Sequence, residues 1–368
     1  MNIISFVIFF LVALAILTLG NVFVIFSWAR FINLTHSQIV QASIVFGAFT
    51  LAFIVSMFLS HYVINIFTRI IYVLSATWIG FFSTLFIMTI IAWAVYIVLP
   101  SSLTQYYGYI FVLILLIDLS LSIFGVFNAR NLDFRQEEVK IANLPIEWQG
   151  KKVVQLSDVH LSEINNQVFL QKIVDRLNQE KAAAVFLTGD FFDGTDGDLS
   201  RIVEPLKNLQ TEKGIYFIYG NHEMYMGMDK AKEVLEKYKV KILDDSKVQV
   251  DGLTIAGLRF PMRDGLRRDL VKEITKLEVT KPSIFLYHDP RQVEDIAQSG
   301  RVDLMLSGHT HNGQLWPYNY VVRLIYGIYS IGRHQVGEMV QFTSKGVGTW
   351  GPMMRTTGRP EVVIFTLK

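Results

Sequence analysis

Apolar and polar positions follow two different rhythms along this chain. Residues 3–28, 40–67, 70–99 and 106–127 are long apolar runs, each able to cross roughly 30 Å of hydrocarbon, and they predict four transmembrane helices. From residue 131 onward the runs become short and are separated by amphipathic stretches. Residues 153–156, 184–187, 215–219, 283–287 and 302–306 read as strands, and their alternation with helical pattern predicts an α/β domain. The implied organisation is a four-helix transmembrane domain over 1–128, a linker and first strand over 129–150, and the α/β domain over 151–368. A last apolar strand at 362–367 is expected to close a sheet edge.

Composition supports the division. Hydrophobic residues make up 51% of the 368 positions and the mean hydropathy is +0.36, too apolar for an ordinary soluble protein. Only Arg30, Arg69 and Asp118 are charged among the first 128 residues. The first run lacks a preceding basic residue and a small-residue cleavage site, so it reads as a retained helix and not as a removed signal peptide. Four spans put both ends of the membrane segment on one side. Arg69 in the second loop and Arg130, Arg135, Lys140, Lys151 and Lys152 after the fourth span assign that side to the cytoplasm, as in a multi-pass protein of a bacterial inner or plasma membrane. Asp118 and His61 lie at membrane depth, but no chain of acids connects the spans, so Asp118 reads as a neutral or helix-bonded residue near one membrane face and the spans as an anchor or substrate-collecting surface.

Charge and cysteine count exclude further classes. A net charge of +2 creates no field suited to nucleic acid. Without cysteine, thiolate metal sites, disulfide scaffolds and cysteine nucleophiles are ruled out, so a metal could be held only by His, Asp, Glu or Asn. A phosphate-binding glycine loop and a serine nucleophile elbow are also missing from the sequence.

Each of the five strands ends in a polar cluster: Ser157-Asp158-Val159-His160, Gly189-Asp190, Gly220-Asn221-His222-Glu223, His288-Asp289 and Gly308-His309-Thr310-His311. The carboxyl ends of strands in an α/β sheet open on the ligand crevice, so these clusters converge in space. Together they hold five of the eight histidines. One Asp or His at a strand end is more often a cap or turn residue; five such clusters are not explained that way. Carboxylates with imidazoles suit manganese, iron or zinc. The donors exceed what one tetrahedral ion needs, which implies two ions roughly 3.5–4 Å apart with Asp190 as the bridge. Asp193, Asp196 and Asp198 in the following loop read as turn residues, Asp193 alone being near enough to support a ligand.

These blocks, in this order, resemble the calcineurin-like metallophosphoesterase superfamily over residues 151–368. The resemblance implies an α/β metallophosphoesterase domain of two packed mixed β-sheets flanked by helices, behind the four transmembrane helices. It also implies that Asp158, His160, Asp190 and His311 hold one divalent ion while Asp190, Asn221, His288 and His309 hold the other. The ions would activate a bridging hydroxide that attacks phosphorus, with His222 over the site as a catalytic group that is not a ligand. Residues 155–161 and 309–314, with the tail Gly346-Val347-Gly348-Thr349-Trp350-Gly351-Pro352 and Arg355, are similar to a membrane-associated bacterial subgroup that includes UDP-2,3-diacylglucosamine pyrophosphatases of lipid A synthesis. Arg355 is the residue this likeness offers for substrate phosphate.

The expected activity is hydrolysis of a phosphodiester or pyrophosphate in a lipid-linked substrate, at a bilayer. A soluble substrate such as a cyclic nucleotide or phosphoprotein is the alternative within the same chemistry, and a sensor or transporter with a non-catalytic domain is the alternative outside it. Met224, Met226 and Met228, beside the basic group Arg263, Arg267 and Arg268 near Met262, form an expected contact with an anionic membrane.

Overall fold

The computed structural model describes residues 3–62, 65–162, 164–194, 198–261 and 268–368. The chain divides into two compact units, Met1–Phe127 with Gly351–Met354, and Asn128–Trp350 with Arg355–Lys368.

The first unit is built on α1 (Ile3–Phe31), α2 (His36–Tyr62), α3 (Ile66–Val98) and α4 (Tyr107–Ala129), all four long and apolar enough to cross a membrane. Asn65 caps α3 by accepting from the amides of Phe67 and Thr68, while the Thr68 hydroxyl accepts from the Asn65 amide. Lipid tails are as apolar as the helices, so polar contacts and ring packing hold the unit together. Trp28 donates to Thr89 at 2.8 Å, Trp93 to Ser27 at 2.8 Å and Asn21 to Thr50 at 2.9 Å, and Phe31 stacks on Phe111. Asp118 is wholly buried. The side chain of His61 lies outside the described residues. Gly80 of α3 owes its lack of a side chain to the inserted segment, since a Cβ there would meet Met354 and Pro352.

The second unit holds strands β1 (Asp133–Val139), β2 (Lys152–Leu156), β3 (Ala184–Leu187), β4 (Gly214–Phe217), β5 (Val240–Ile242), β6 (Ser246–Val250), β7 (Leu253–Leu258), β8 (Ser283–Tyr287), β9 (Leu304–Ser307), β10 (Gly332–Val336), β11 (Met339–Thr343) and β12 (Glu361–Leu367). Its helices are α5 (Gln167–Glu180), α6 (Leu199–Val203), α7 (Asn221–Met226), α8 (Met228–Glu236), α9 (Leu270–Lys276), α10 (Val293–Gln298) and α11 (Tyr318–Tyr326). They form two mixed sheets, ordered β1-β12-β2-β3-β4-β5 and β10-β11-β9-β8-β7-β6. Within the first, β2 to β5 run parallel; within the second, β7, β8, β9 and β11 do. Strands β2, β3, β8 and β9 are buried on both faces, which is why they read as unbroken apolar runs instead of alternating ones. Val153, Phe186, Ile218, Ile255, Leu286, Leu306 and Phe342 share one core with residues from both sheets. Two further cores pack helices against the sheets: Leu170, Ile173 and Leu177 of α5 join Val154 and Val185, while Leu270 and Ile274 of α9 join Ala256 and Phe285.

The expected edge strand at 362–367 is an interior one. Strand β12 lies between β1, to which it is parallel, and β2, to which it is antiparallel. Val363, Ile364 and Phe365 are fully buried, whereas β1 carries Arg135, Gln136, Glu137 and Glu138 and takes the edge, where charge discourages further pairing.

Candidate metal centre

The five polar clusters meet where β2, β3, β4, β8 and β9 end, three strands from one sheet and two from the other. Asp158, His160 and His311 present ligand atoms within 4.8 Å of one another, as do Asp190, His288 and His309, and as do His160, Asp193 and His222. His160 Nε2 stands 3.0 Å from His311 Nε2, and His311 Nε2 3.3 Å from Asp158 Oδ1. His288 Nε2 lies 3.1 Å from Asp190 Oδ2 and 4.0 Å from Asp158 Oδ1, so Asp158 and Asp190 link the two groups. All of the sequence-designated histidines are therefore together, with Asn221 at the first position of α7.

The backbone is bent to bring this about. Asp158, His160, Asp190, His309 and His311 all have positive φ, from 49° to 71°, a region costly for residues with a Cβ. Hydrogen bonds across the clusters compensate. The amide of His309 donates to both Asp158 oxygens at 3.0 and 3.1 Å, the amide of His222 donates to Asp190 Oδ1 at 2.9 Å, and the amide of His160 donates to the Asp190 carbonyl at 3.0 Å.

Whether these residues suit a cation is decided by their remaining bonds. His288 Nδ1 donates to the Thr188 carbonyl at 2.8 Å, which leaves the Nε2 lone pair directed at the Asp190 carboxylate. Two electron-rich groups face each other, and the buried Nε2 has no hydrogen-bond partner. The Asn221 Oδ1 is likewise buried and unpartnered. Positive charge is needed between them, as a proton or as an ion. Electrostatics register the same demand: burial works to lower the pKa of His288, but Asp190 and Asp158 overcome it and raise the value to about 10. Asp190 is held well below the usual carboxylate range, burial opposing and His288 prevailing. Burial and the neighbouring rings of His288 and His160 depress His309 and His311 respectively, favouring neutral imidazoles. A donor set of carboxylates, imidazoles and one amide fits divalent metal ions.

Several residues stand behind the candidate ligands. Asp193 Oδ1 accepts from His160 Nδ1 at 3.1 Å, fixing that ring so that Nε2 points inward, so the sequence expectation of a plain turn residue gives way to the ring-orienting role. Asp198 does cap α6 through the amide of Arg201. Asp196 lies outside the described residues. Glu223, to which the sequence reading gave no role, is fully buried and accepts from the amides of Asp190 (3.0 Å), Phe192 (3.0 Å) and Gly220 (2.8 Å). Burial and then the charge of Asp190 raise its pKa to about 7. The carboxylate three residues into a helix is a capping pattern, and that spacing from Gly220 was the available signal.

His222 Nδ1 donates to the Asp193 carbonyl at 2.9 Å, and its ring meets His160 edge-on at 4.6 Å. Arg355 departs from expectation. It is completely buried, and its Nη2 donates to His311 Nδ1 at 3.0 Å and to the carbonyls of Lys345 and Gly348 at 2.6 and 3.0 Å. Burial lowers its pKa to about 10. The guanidinium braces His311 from behind and offers no solvent-facing fork to a phosphate. The Arg268 of the expected membrane contact is also spent, donating bidentately to Asp245 at 2.8 and 3.0 Å; Met262, Arg263 and Arg267 lie outside the described residues. A cleft of about 1390 Å³ opens beside Lys151, Lys181 and Lys213, near the amino ends of β2, β3 and β4, and none of the metal-site residues lines it.

The arrangement defines a metal-dependent phosphoester hydrolase. Residues 151–313 match the calcineurin-like phosphoesterase family. The chain is 32% identical over 385 residues to an uncharacterized metallophosphoesterase of Campylobacter jejuni, covering 99% of both chains. It is 30% identical over 223 residues to an uncharacterized metallophosphoesterase of Helicobacter pylori, covering 59% of each. A transmembrane protein with metallophosphoesterase domain from Danio rerio is 30% identical over 279 residues, 70% of this chain and 62% of that one. This chain thus spans less than two thirds of the last two relatives. It belongs to the calcineurin-like metallophosphoesterase family and, with its four apolar helices, is a membrane protein.

Proposed function

We propose that the protein is a membrane-anchored phosphohydrolase that holds two divalent ions, manganese first and iron or zinc as alternatives, and cleaves a phosphodiester or pyrophosphate of a lipid-linked substrate. UDP-2,3-diacylglucosamine is the most specific candidate. The carrying observation is the His288 Nε2 lone pair aimed at the Asp190 carboxylate inside the cluster, with the apolar helices of the same chain favouring a lipid over a soluble substrate. Asp158, His160, Asp190 and His311 would hold one ion, and Asp190, Asn221, His288 and His309 the other. Ions bound there would lower the pKa of coordinated water toward neutrality and offset charge on the phosphoryl oxygens.

The remaining work falls to the chain itself. Asp193 and Thr188 hold His160 and His288 in the tautomers whose Nε2 lone pairs face inward. Glu223 ties the loops after β3 and β4 together so that Asp190 and Asn221 keep their register. Because a carbonyl only accepts, His222 carries its first proton on Nδ1, and as imidazolium it delivers the second from Nε2 to a leaving oxygen. Asp190 and His222 are the catalytic residues of this reading. Phe260 packs its ring 5.5 Å from His309 and 6.0 Å from His288, which keeps water from that flank. The basic residues after the fourth span favour a cytoplasmic domain.

The test is hydrolysis of UDP-2,3-diacylglucosamine in mixed micelles with manganese, comparing wild type with His222→Ala and Asp190→Asn. Metal-dependent release of UMP, lost in both variants, is the expected outcome. Cleavage of bis(p-nitrophenyl) phosphate without UMP release would keep the phosphohydrolase and discard this substrate.

A further inference from the structure

We infer that α11 lies in the surface of a lipid bilayer, and that its outward face passes a lipid-borne phosphoester to the metal centre. The sequence Tyr318-Asn319-Tyr320-Val321-Val322-Arg323-Leu324-Ile325-Tyr326 reverses the usual amphipathic order, because its apolar side faces out. Tyr320, Val321, Leu324, Ile325 and, in the turn that follows, Ile328 are all exposed, Leu324 at 86% and Ile325 at 61%. At 100° per residue the four positions within α11 share an arc of about 140°. Scattered exposed apolar residues are ordinary on a soluble surface; a helix that presents a continuous apolar stripe is a membrane or partner contact.

Three observations commit the face to lipid. Only Arg130, Asn131 and Leu132 separate α4 from β1, a connection whose extended reach is about 10 Å. The residues directly after Trp350, Gly351–Met354, cluster with the transmembrane unit, where Met354 and Pro352 pack on Gly80. Aromatic residues, the type enriched at membrane interfaces, join the stripe to the site. The Tyr326 ring is 5.9 Å from His309, exposed Trp350 is 6.2 Å from His222, and exposed Tyr225 is 5.9 Å from His222. An acyl chain on this face would keep its phosphoester at bilayer-surface depth, beside the histidines.

The chain has no cysteine, so single labels can be placed without background. Leu324→Cys, Ile325→Cys and, as a water-facing reference, Lys207→Cys are each labelled with bimane in the full-length protein reconstituted into phosphatidylcholine–phosphatidylglycerol vesicles. Nitroxide lipid is expected to quench the first two about threefold more than the reference, and aqueous iodide to quench them less. Iodide quenching at Leu324 equal to that at Lys207 would overturn docking. A kinetic arm, which rests on the phosphohydrolase reading above, uses the Leu324→Glu, Ile325→Glu double variant. Its kcat/KM on a vesicle-embedded phosphoester should fall about tenfold while bis(p-nitrophenyl) phosphate is cleaved as by wild type. Equal losses on both substrates, or a wild-type protein that cleaves the soluble substrate but not the vesicle-embedded one, would overturn delivery. Wild type inactive on both would defeat the phosphohydrolase reading, while quenching still decides docking by itself.

Discussion

His288 and Asp190 confront each other across 3.1 Å, with the Nδ1 proton of the imidazole already donated to the Thr188 carbonyl. Such a pair is stable only with positive charge between its members. On the two-ion reading proposed above, His288→Ala empties one ion position and spares the other, which Asp158, His160 and His311 would still surround. Elemental analysis of purified protein should return about one metal per chain in place of two, and phosphodiester hydrolysis should drop by about two orders of magnitude or more. Two metals retained would remove His288 from the ligand set.

Asp193 orients His160, a candidate ligand. Removing its carboxylate frees His160 to rotate and to choose the other tautomer. Asp193→Ala is therefore expected to weaken metal affinity about 10–100-fold, the usual cost of losing a group that orients a ligating histidine. Competition titration against a chelator measures this directly. Asp193→Asn should recover part of the loss, because an amide oxygen still accepts from Nδ1; equal defects in the two variants would assign the effect to loop disorder.

Much of this site was legible because chemistry and topology coincide at strand ends. Buried parallel strands must read as apolar runs, and the polar residue that ends each run must face the crevice, so Asp158, Asp190, Asn221, His288 and His309 could be located from order alone. Partners that depend on side-chain direction could not. Nothing in the spacing told whether Arg355 faced outward to a phosphate or inward to His311, since that is settled by the burial of its loop. The same holds for Arg268, a member of an apparent basic patch that is bound to Asp245 from another part of the chain. The place of β12 inside its sheet depended on β1, whose polar pattern marks an edge once the pairing is known. Helix α11 escaped notice because an apolar stripe looks alike whether it faces a core or a bilayer.

The Asp245–Arg268 pair predicts a pH dependence of stability. Burial pushes the Asp245 carboxyl up, but hydrogen bonds from Arg268 and the Arg259 amide outweigh it and hold its pKa below the usual value. A carboxyl depressed on folding stabilises the native state above its unfolded pKa, about 3.9, and that contribution disappears as pH falls through the lower folded value. Arg268→Gln should then lower stability by about 1 kcal/mol near neutral pH, allowing for the partial exposure of both groups. The difference from wild type should shrink below about pH 4. Thermal unfolding in detergent across that range tests it; a difference that grew toward low pH would contradict the assignment.

Gly189 offers the most severe single test of how tightly the centre is assembled. Its φ of +89° is unfavourable for any residue with a Cβ, and a Cβ there would stand 2.6 Å from His288 Nδ1 and 2.9 Å from the Gly220 backbone. Neither neighbour can yield cheaply: His288 is held by Thr188, and Gly220 is pinned by Glu223 and pressed against Asp190. In Gly189→Ala, His288 must leave the Thr188 carbonyl or the loops after β3 and β4 must part, and either motion separates His288 from Asp190. Gly337 provides the comparison, with φ +58° and nothing within 4 Å of a Cβ, so Gly337→Ala carries backbone strain alone, about 1 kcal/mol. Gly189→Ala should cost about 1–3 kcal/mol more in unfolding free energy and reduce phosphodiester hydrolysis by at least about 100-fold, with metal content falling in parallel. If both variants kept similar activity and metal content, the contact between Gly189 and His288 would have no part in holding the site.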